Sequence, residues 1–391
     1  MGLAIGSDQP ASTEGLRRRN TSLVLRSLRR QGPATRAELA KRTGLAKATV
    51  GVIVGGLAEV AAVDESDSVP GGRGRPGRPV TLTGEGLLGL GLELNVDYVS
   101  AVLLDLGGRV RLSETRPASD AARVPALLDL ARDVVRREPA GRIMGAMVAV
   151  PGLVRSDDRS VAWTPNLDAT GLASTVEAAL GGRCPVSVGN DANCAAYAES
   201  HHGAATGVAH ALYLTGTVGI GAGIVSDGRL QRGSTGFAGE VGHMPIGDST
   251  AVCGCGRRGC WEASVGLHAM LAAVGMPELD NPVLSAAAVA ARAADDPAVR
   301  RALTRLGEDV GLGLAVLANV LDPEVVVLGG YFVPLGEHVL GPARRSLDER
   351  LPSAAQRRPD LRLSTLGIEA AALGAAELAL EGVFAGDVPV T

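Results

Sequence analysis

The sequence predicts a mixed α/β protein: a small basic helical module at the N-terminus, joined to a larger body in which strands alternate with helices. Three observations predict it. From residue 84 onward, apolar runs such as "LLGLGLELNVDYVSAVLLDL" and "PEVVVLGG" are separated by helical patterns, an order that builds largely buried sheets. Charge is divided unevenly: Gly15 to Val50 holds ten basic residues and one acid, Glu38, whereas the whole 391-residue chain has a net charge of −4. A basic block on an acidic body is the footprint of a polyanion-binding module attached to something else. Hydrophobic residues make up 46% of the chain, enough for large cores, yet no run of about 18 apolar residues occurs. A cytoplasmic protein with no membrane partner is expected, in a compartment that keeps its five cysteines reduced.

The N-terminal elements follow in order. "TSLVLRSLRRQG" places Leu23, Val24, Leu25 and Leu28 among arginines, an amphipathic helix ended by Gly32-Pro33. "TRAELAKRTG" opens on a capping box, Thr35 with Glu38, and stops at Gly44. A third helical pattern begins near Lys47, so two helices joined by a turn at Thr43-Gly44-Leu45 give a helix-turn-helix. Its third helix is marginal by composition, because Ala46 is a poor N-cap and Gly51, Gly55 and Gly56 each cost on the order of 1 kcal/mol relative to alanine. "VAAVD" and "PVTLT" can pair as a wing around "SVPGGRGRPGRP", a segment that also suits a flexible linker. The expected DNA-facing residues are Arg36, Lys47, Ala48 and Thr49 on the helices, with Arg73, Arg75 and Arg78 on the wing, where an extended arginine pair fits a narrow minor groove. This module is assigned to residues 1–83 and the body to 84–391.

In the body, two strands meet at a turn near Asn95, a helix at about 122 to 137 precedes the strand "GAMVAVPGLV", and "CPVSVGND" leads into the helix "NCAAYAESHHGAA". "TGTVGIGAG" is rich in glycine, but the spacing does not match the GxGxxG of a dinucleotide loop. It either offers backbone N–H groups to a phosphate or turns a hairpin whose glycines allow close packing. Polar groups recur at strand ends: Asn166, Asn190, Asp191, Glu240, His243 and Glu262. Carboxylates and amides converging on one cleft suit a ligand with several hydroxyls, and a carboxylate there can also take a proton from an attacking hydroxyl.

"GNDANCAAYAE", "GFAGEVGHM" and "CGCGRRGCWEA", in this order, resemble the ROK family of repressors and sugar kinases, and the resemblance spans Gly15 to about Val383. It implies a winged helix-turn-helix followed by a two-lobed, actin-like sugar-kinase fold. The smaller lobe would hold about 84–192 plus the C-terminal helix, and the larger about 193–366. It further implies Asp191 as the general-base position and Asn166, Asn190, Asp191, Glu240, His243 and Glu262 as sugar contacts. His243, Cys253, Cys255 and Cys260 would be ligands of a structural Zn²⁺. Gly216, Thr217, Gly219, Gly221, Gly329 and Gly330 would be nucleotide-facing.

The chemistry of a Cys₃His set suits tetrahedral zinc independently, whereas a disulfide would use only two of the three thiols. The sequence departs from the kinases at Glu93-Leu94-Asn95-Val96-Asp97. Asn95 and Val96 fill space that a phosphate loop leaves open, and Asp97 adds negative charge. The reading that follows is a sugar-responsive DNA-binding repressor of carbohydrate genes. It would be a homodimer or homotetramer on a double-stranded operator, binding a sugar or sugar phosphate without phosphorylating it. The alternative is a sugar kinase that carries a DNA-binding domain, motivated by Asp191.

Overall fold

The basic N-terminal block folds as α1 (Thr13–Gln31), β1 (Ala34–Thr35), α2 (Arg36–Thr43), α3 (Lys47–Glu59), β2 (Val63–Glu65) and β3 (Pro79–Leu82). The protein is described from a computed structural model at residues 13–65, 78–83, 86–119, 122–139, 141–164, 168–217, 219–352 and 358–390. Helix α1 starts earlier than the apolar pattern at residue 21 requires, and it leaves Leu23 38% exposed. Thr35 caps α2 reciprocally: its hydroxyl accepts from the Glu38 N–H at 3.3 Å, and the Glu38 carboxylate accepts from the Thr35 N–H at 2.8 Å. Ala46 provides no side-chain cap for α3, and the helix instead holds through buried Val50, Ile53, Val54 and Leu57. The two segments expected to form the wing do pair, antiparallel, with Val63 opposite Leu82 in a sheet of order β1-β3-β2.

The body contains two five-stranded sheets of the same design. The first comprises β4 (Leu87–Leu94), β5 (Tyr98–Asp105), β6 (Val110–Pro117), β7 (Arg142–Val150) and β10 (Val186–Asn190), in order β10-β7-β4-β5-β6. With it go α4 (Arg123–Arg137), α5 (Leu172–Ala179) and a small ribbon of β8 (Leu153–Val154) and β9 (Val161–Trp163). After α6 (Asp191–His202), the second sheet is built from β11 (Ala211–Gly216), β12 (Ile220–Ser226), β13 (Arg229–Leu230), β14 (Val325–Gly330) and β15 (Asp360–Leu363). Its order is β13-β12-β11-β14-β15, so each sheet is an antiparallel three-strand meander extended by two parallel strands. This duplicated, two-lobed α/β arrangement is the expected fold class.

The outer side of the second sheet carries α7 (Glu262–Val265), α8 (Leu267–Val274), α9 (Pro282–Ala293), α10 (Pro297–Leu321), α11 (Phe332–Leu335) and α12 (Glu337–Arg350). Pro342 lies inside α12, a helix that a sequence reading alone does not place. The chain closes with α13 (Ala370–Ala379) and α14 (Glu381–Ala385). Helix α13 lies on β4 and β7 and packs against α6, which in turn covers β11 and β12. The close approach needs glycine on both faces, because a Cβ at Gly91 would collide with the α13 backbone and one at Gly374 with the Cys194 carbonyl. The N-terminal module shares a core with this layer: Val24, Leu25 and Leu57 cluster with Leu380, Val383 and Phe384.

Candidate functional site

The cysteine-rich segment is a glycine-turned knuckle. Gly256 and Gly259 take φ of 84° and 75°, values open to glycine, and the Cys253 N–H donates to the Arg257 carbonyl at 2.8 Å. Just after it, Trp261 is 1% exposed and donates its indole N–H to the Asp309 carbonyl at 2.9 Å, which pins the knuckle to the core of the second lobe. His243 arrives from a 3-10 turn, Val241–His243. The donor atoms of His243, Cys253, Cys255 and Cys260 all lie within 4.8 Å of one another. Cys255 and Cys260 Sγ are 3.7 Å apart, and Cys253 Sγ is 3.8 Å from His243 Nδ1. A tetrahedral ion with metal–sulfur bonds of about 2.3 Å requires sulfur–sulfur edges of about 3.8 Å, so the four donors form a metal-ready cluster. All five cysteines are free thiols. The backbone N–H and guanidinium of Arg257 pull the Cys255 thiol down, toward the thiolate a metal needs.

The outer face of this cluster opens into a cavity of about 770 Å³ lined by Trp163, Phe237, Glu240, His243, Cys255 and Arg257. Trp163 is 58% exposed there, an aromatic platform that sequence reasoning missed. It is one of two tryptophans in the chain, and a lone tryptophan carries no such signal before the fold places it. Asn166 lies outside the described residues.

Asp191 is the first residue of α6 and lines a second cavity of about 720 Å³ between the sheets. Its carboxylate accepts from the Ala192 N–H at 2.8 Å and from Asn190 Nδ2 at 3.2 Å. Burial pushes it up to about 6, despite the Ala192 bond, and the nearby charge of Glu240 adds to the rise. The charge of Glu240 is therefore felt at Asp191 across the two cavities.

Two of the expected contacts also carry hydrogen bonds within the protein. Asn190 caps α6, accepting from the Asn193 N–H at 2.9 Å and donating to the Gly152 carbonyl at 3.0 Å. Glu262 accepts from the Ile220 N–H at 2.8 Å and from the Cys253 thiol at 3.4 Å, so it ties the β12 edge to the knuckle. Of the glycine set, Gly216, Thr217 and Gly330 line the second cavity. Gly219, Gly221 and Gly329 make room for Glu262, Ala192 and Tyr213, and β11 and β12 within "TGTVGIGAG" pair antiparallel with Gly216 opposite Ile220.

Strand β4, the first of the body, carries near its end a buried polar group absent from the expected sugar contacts. Glu93 is 2% exposed, and its Oε1 accepts from Asn95 Nδ2 at 3.0 Å and from the Tyr98 hydroxyl at 2.9 Å. Burial pushes this carboxyl up to about 8. On the N-terminal module, Lys47 and Ala48 are exposed at the start of α3 and Thr49 is half-buried. Arg78 is exposed beside β3, whereas Arg73 and Arg75 lie outside the described residues. Arg36 is held by Glu65, with guanidinium–carboxylate distances of 2.6 and 3.0 Å.

A further polar cluster joins module to body. Arg29 of α1 pairs with Glu377 of α13 and, at 2.7 Å, with Glu381 of α14, and it lies 4.2 Å over the Phe384 ring. Both carboxylates are also held by α6: Tyr197 donates to Glu381 at 2.7 Å and His202 Nε2 lies 2.8 Å from Glu377. The opposite end of that helix is Asp191.

The sequence profile of the ROK family matches residues 89–382. The chain belongs to the ROK family. This ROK protein is 30% identical over 374 residues to the Xylose repressor of Bacillus subtilis (strain 168), with 93% of this chain and 95% of the relative covered. A Glucokinase of Streptomyces coelicolor is also 30% identical, over 315 residues, but covers 75% of this chain and 98% of its own length. Among solved structures, a ROK family transcriptional regulator described as a homolog of the E. coli MLC protein aligns with a TM-score of 0.79 at 26% identity, covering 95% of this chain and 97% of that one. Among the described residues, no helix is long and apolar enough to cross a membrane.

Proposed function

We propose that this ROK protein is a sugar-responsive transcriptional repressor that binds operator DNA through its N-terminal module and a sugar through the cleft of its body. The observation that carries the reading is the extent of the matches: the repressor relative spans 93% of the chain, whereas the glucokinase spans 75%. The family profile begins at residue 89, so the basic helix-turn-helix lies outside it and goes with the repressor relative. Lys47 and Ala48, exposed at the start of α3, would enter the major groove, and Arg78 with the rest of the wing would meet phosphates. A dimer would present two such modules to a two-fold operator.

The sugar would lie over Trp163 beside Glu240 and His243 and reach toward Asp191. Zinc in the Cys₃His cluster would take Nδ1 of His243 and leave Nε2–H aimed by the metal, so the ion fixes the direction of one sugar contact. Helix α6 supports a route from cleft to DNA, because it runs from Asp191 to the residues that hold Arg29 of α1. A shift of α6 on sugar binding would re-aim the module and change operator affinity without any contact between sugar and DNA. Anisotropy titration with DNA upstream of the chain's own gene tests the reading. Affinity is expected to change with one of the common pentoses, hexoses or their phosphates, and indifference to all of them removes the sensing claim.

Retention of Asp191 at the N-terminus of α6 favours the kinase as a second reading. ATP-dependent ADP release that vanishes in Asp191→Ala would replace the first reading with the second.

A further inference from the structure

A third cavity lies at the junction between module and body. Its volume, about 930 Å³, falls within the range of small-molecule sites. One wall is α1, where Arg26, Arg29 and Arg30 share a face at spacings of three and four residues. Another is the β12–β13 hairpin of the second lobe, which carries Arg229. That residue follows a tight turn, Asp227 and Gly228 with φ of 52° and 67°, and pairs with Ser226, so the hairpin fixes its position.

The charges in this cavity do not balance. Arg29 is committed to Glu377 and Glu381, and Asp227 lies 3.6 Å from His210. Among the described residues, the guanidiniums of Arg26, Arg30 and Arg229 have no hydrogen-bond or ion-pair partner, and all three side chains are exposed. Arg26 and Arg30 are one helical turn apart and repel each other, a cost that an anion between them removes. The other polar side chains are already engaged. Ser200 donates to the Tyr197 carbonyl at 2.8 Å, Thr206 to the Gly203 carbonyl at 2.9 Å, and His201 turns Nδ1 to the Tyr197 carbonyl at 2.9 Å. The charged donors left for a ligand are the three guanidiniums, whose forks match phosphoryl oxygens. Half-buried Val208, Leu230 and Leu378 add an apolar part to the same cavity.

We propose that this cavity binds a small organic phosphate, its phosphoryl oxygens held by Arg26, Arg30 and Arg229 and its carbon body on the apolar part. Such a ligand would join α1 to the second lobe beside the Arg29 junction and bias the position of the module independently of the sugar cleft. Free phosphate lacks the body that the size and apolar part of the cavity call for. Duplex DNA is another source of phosphate, but Arg29, on this same face of α1, pairs with body residues, so the face is turned to the body.

The test titrates phenyl phosphate, phenyl sulfate, phenol and inorganic phosphate into the full-length protein, without DNA, by ligand-observed NMR. At about pH 7.5 the phosphate ester is mainly a dianion and the sulfate ester a monoanion. Phenyl phosphate is expected to bind about tenfold more tightly than phenyl sulfate or inorganic phosphate, and phenol to show no saturable binding. Arg229→Gln should weaken phenyl phosphate about fivefold, and Arg26→Gln with Arg30→Gln about tenfold. Arg17→Gln with Arg18→Gln, exposed on α1 outside this cavity, should change it by less than about twofold. Melting curves verify that each variant folds. In Arg26→Gln with Arg30→Gln, the salt slope for non-specific duplex DNA should stay within about 0.5 of wild type, since each phosphate contact contributes about 0.9. Equal affinity for the two esters means an adventitious ion only and overturns the proposal. Inorganic phosphate binding as tightly as phenyl phosphate, or affinity that survives loss of all three arginines, also overturns it. A salt slope lowered by about two assigns these arginines to DNA and overturns it as well. No sugar enters these measurements, so their failure leaves the repressor reading standing.

Discussion

Glu93 shows how one buried residue sets a measurable pH response. Its carboxyl rises from the usual 4.5 to about 8 because burial disfavours the charge more than Asn95 and Tyr98 support it. A carboxyl raised in the folded state contributes stability below about pH 4.5, and that contribution is lost as pH climbs through about 8. Glu93→Gln removes the loss, so its melting temperature should exceed the wild-type value above about pH 8, by an amount equivalent to a few kcal/mol, and approach it near pH 5. Equal melting curves across that range would mean that Glu93 is not held in its protonated form. Cys255 and Cys260 carry a second expectation at this scale. Replacing either by serine should abolish stoichiometric zinc measured by mass spectrometry and, through His243, the sugar response. A variant that loses zinc yet responds normally breaks the link between cluster and pocket. The three thiols were legible in the spacing of "CGCGRRGCWEA", and His243 as the fourth donor came from the family resemblance. Trp163 and Glu93 were not, because a lone tryptophan or glutamate signals nothing until the fold places it on a cavity.

At the scale of the element, α3 is held by packing against its own composition. Nothing lies within 4 Å of a Cβ built at Gly55, so Gly55→Ala should stabilise the module by about 0.5–1 kcal/mol, read as a higher melting temperature. Lys47 is exposed on the first turn of α3, and Lys47→Ala should weaken operator binding on every sequence and lower the salt slope by about 1. Arg36→Ala should cost less, since its guanidinium is committed to Glu65. An unchanged slope for Lys47→Ala would mean that the DNA surface lies elsewhere. The capping box of α2 and the strand pairs of the wing follow from local chemistry and are readable in sequence. Helix α12 is not, because Pro342 breaks the local signal and only packing on α10 keeps the helix.

For the whole molecule, the decisive contact is the Arg29 junction. Burial alone would lower the Arg29 pKa and raise that of Glu377, yet their mutual attraction, with His202 on Glu377, reverses both shifts. Such a pair is directional, and breaking it by removing one partner costs about 3–5 kcal/mol. Tyr197→Phe is the gentler change, removing one hydroxyl from Glu381 and leaving Arg29 paired. Both Tyr197→Phe and Arg29→Ala should retain sugar binding by calorimetry, while the sugar-induced change in operator affinity falls toward about twofold. A full response in Arg29→Ala would show that coupling runs by another path.

The sequence by itself determined the parts: a basic helix-turn-helix, an α/β body, a Cys₃His cluster and a phosphate loop replaced at Glu93 to Asp97. Each is carried by residues close together in the chain, where caps, periodicity and ligand spacing act. Only the tertiary structure decided how these parts meet. It placed Asp191 on one cavity and Glu240 and His243 on another, gave Asn190 and Glu262 hydrogen bonds within the protein, and clustered Arg29, Glu377 and Glu381 around the end of α6. These contacts join residues as many as 352 positions apart. Burial and pairing at that separation depend on how the helices and sheets pack, which no local pattern encodes.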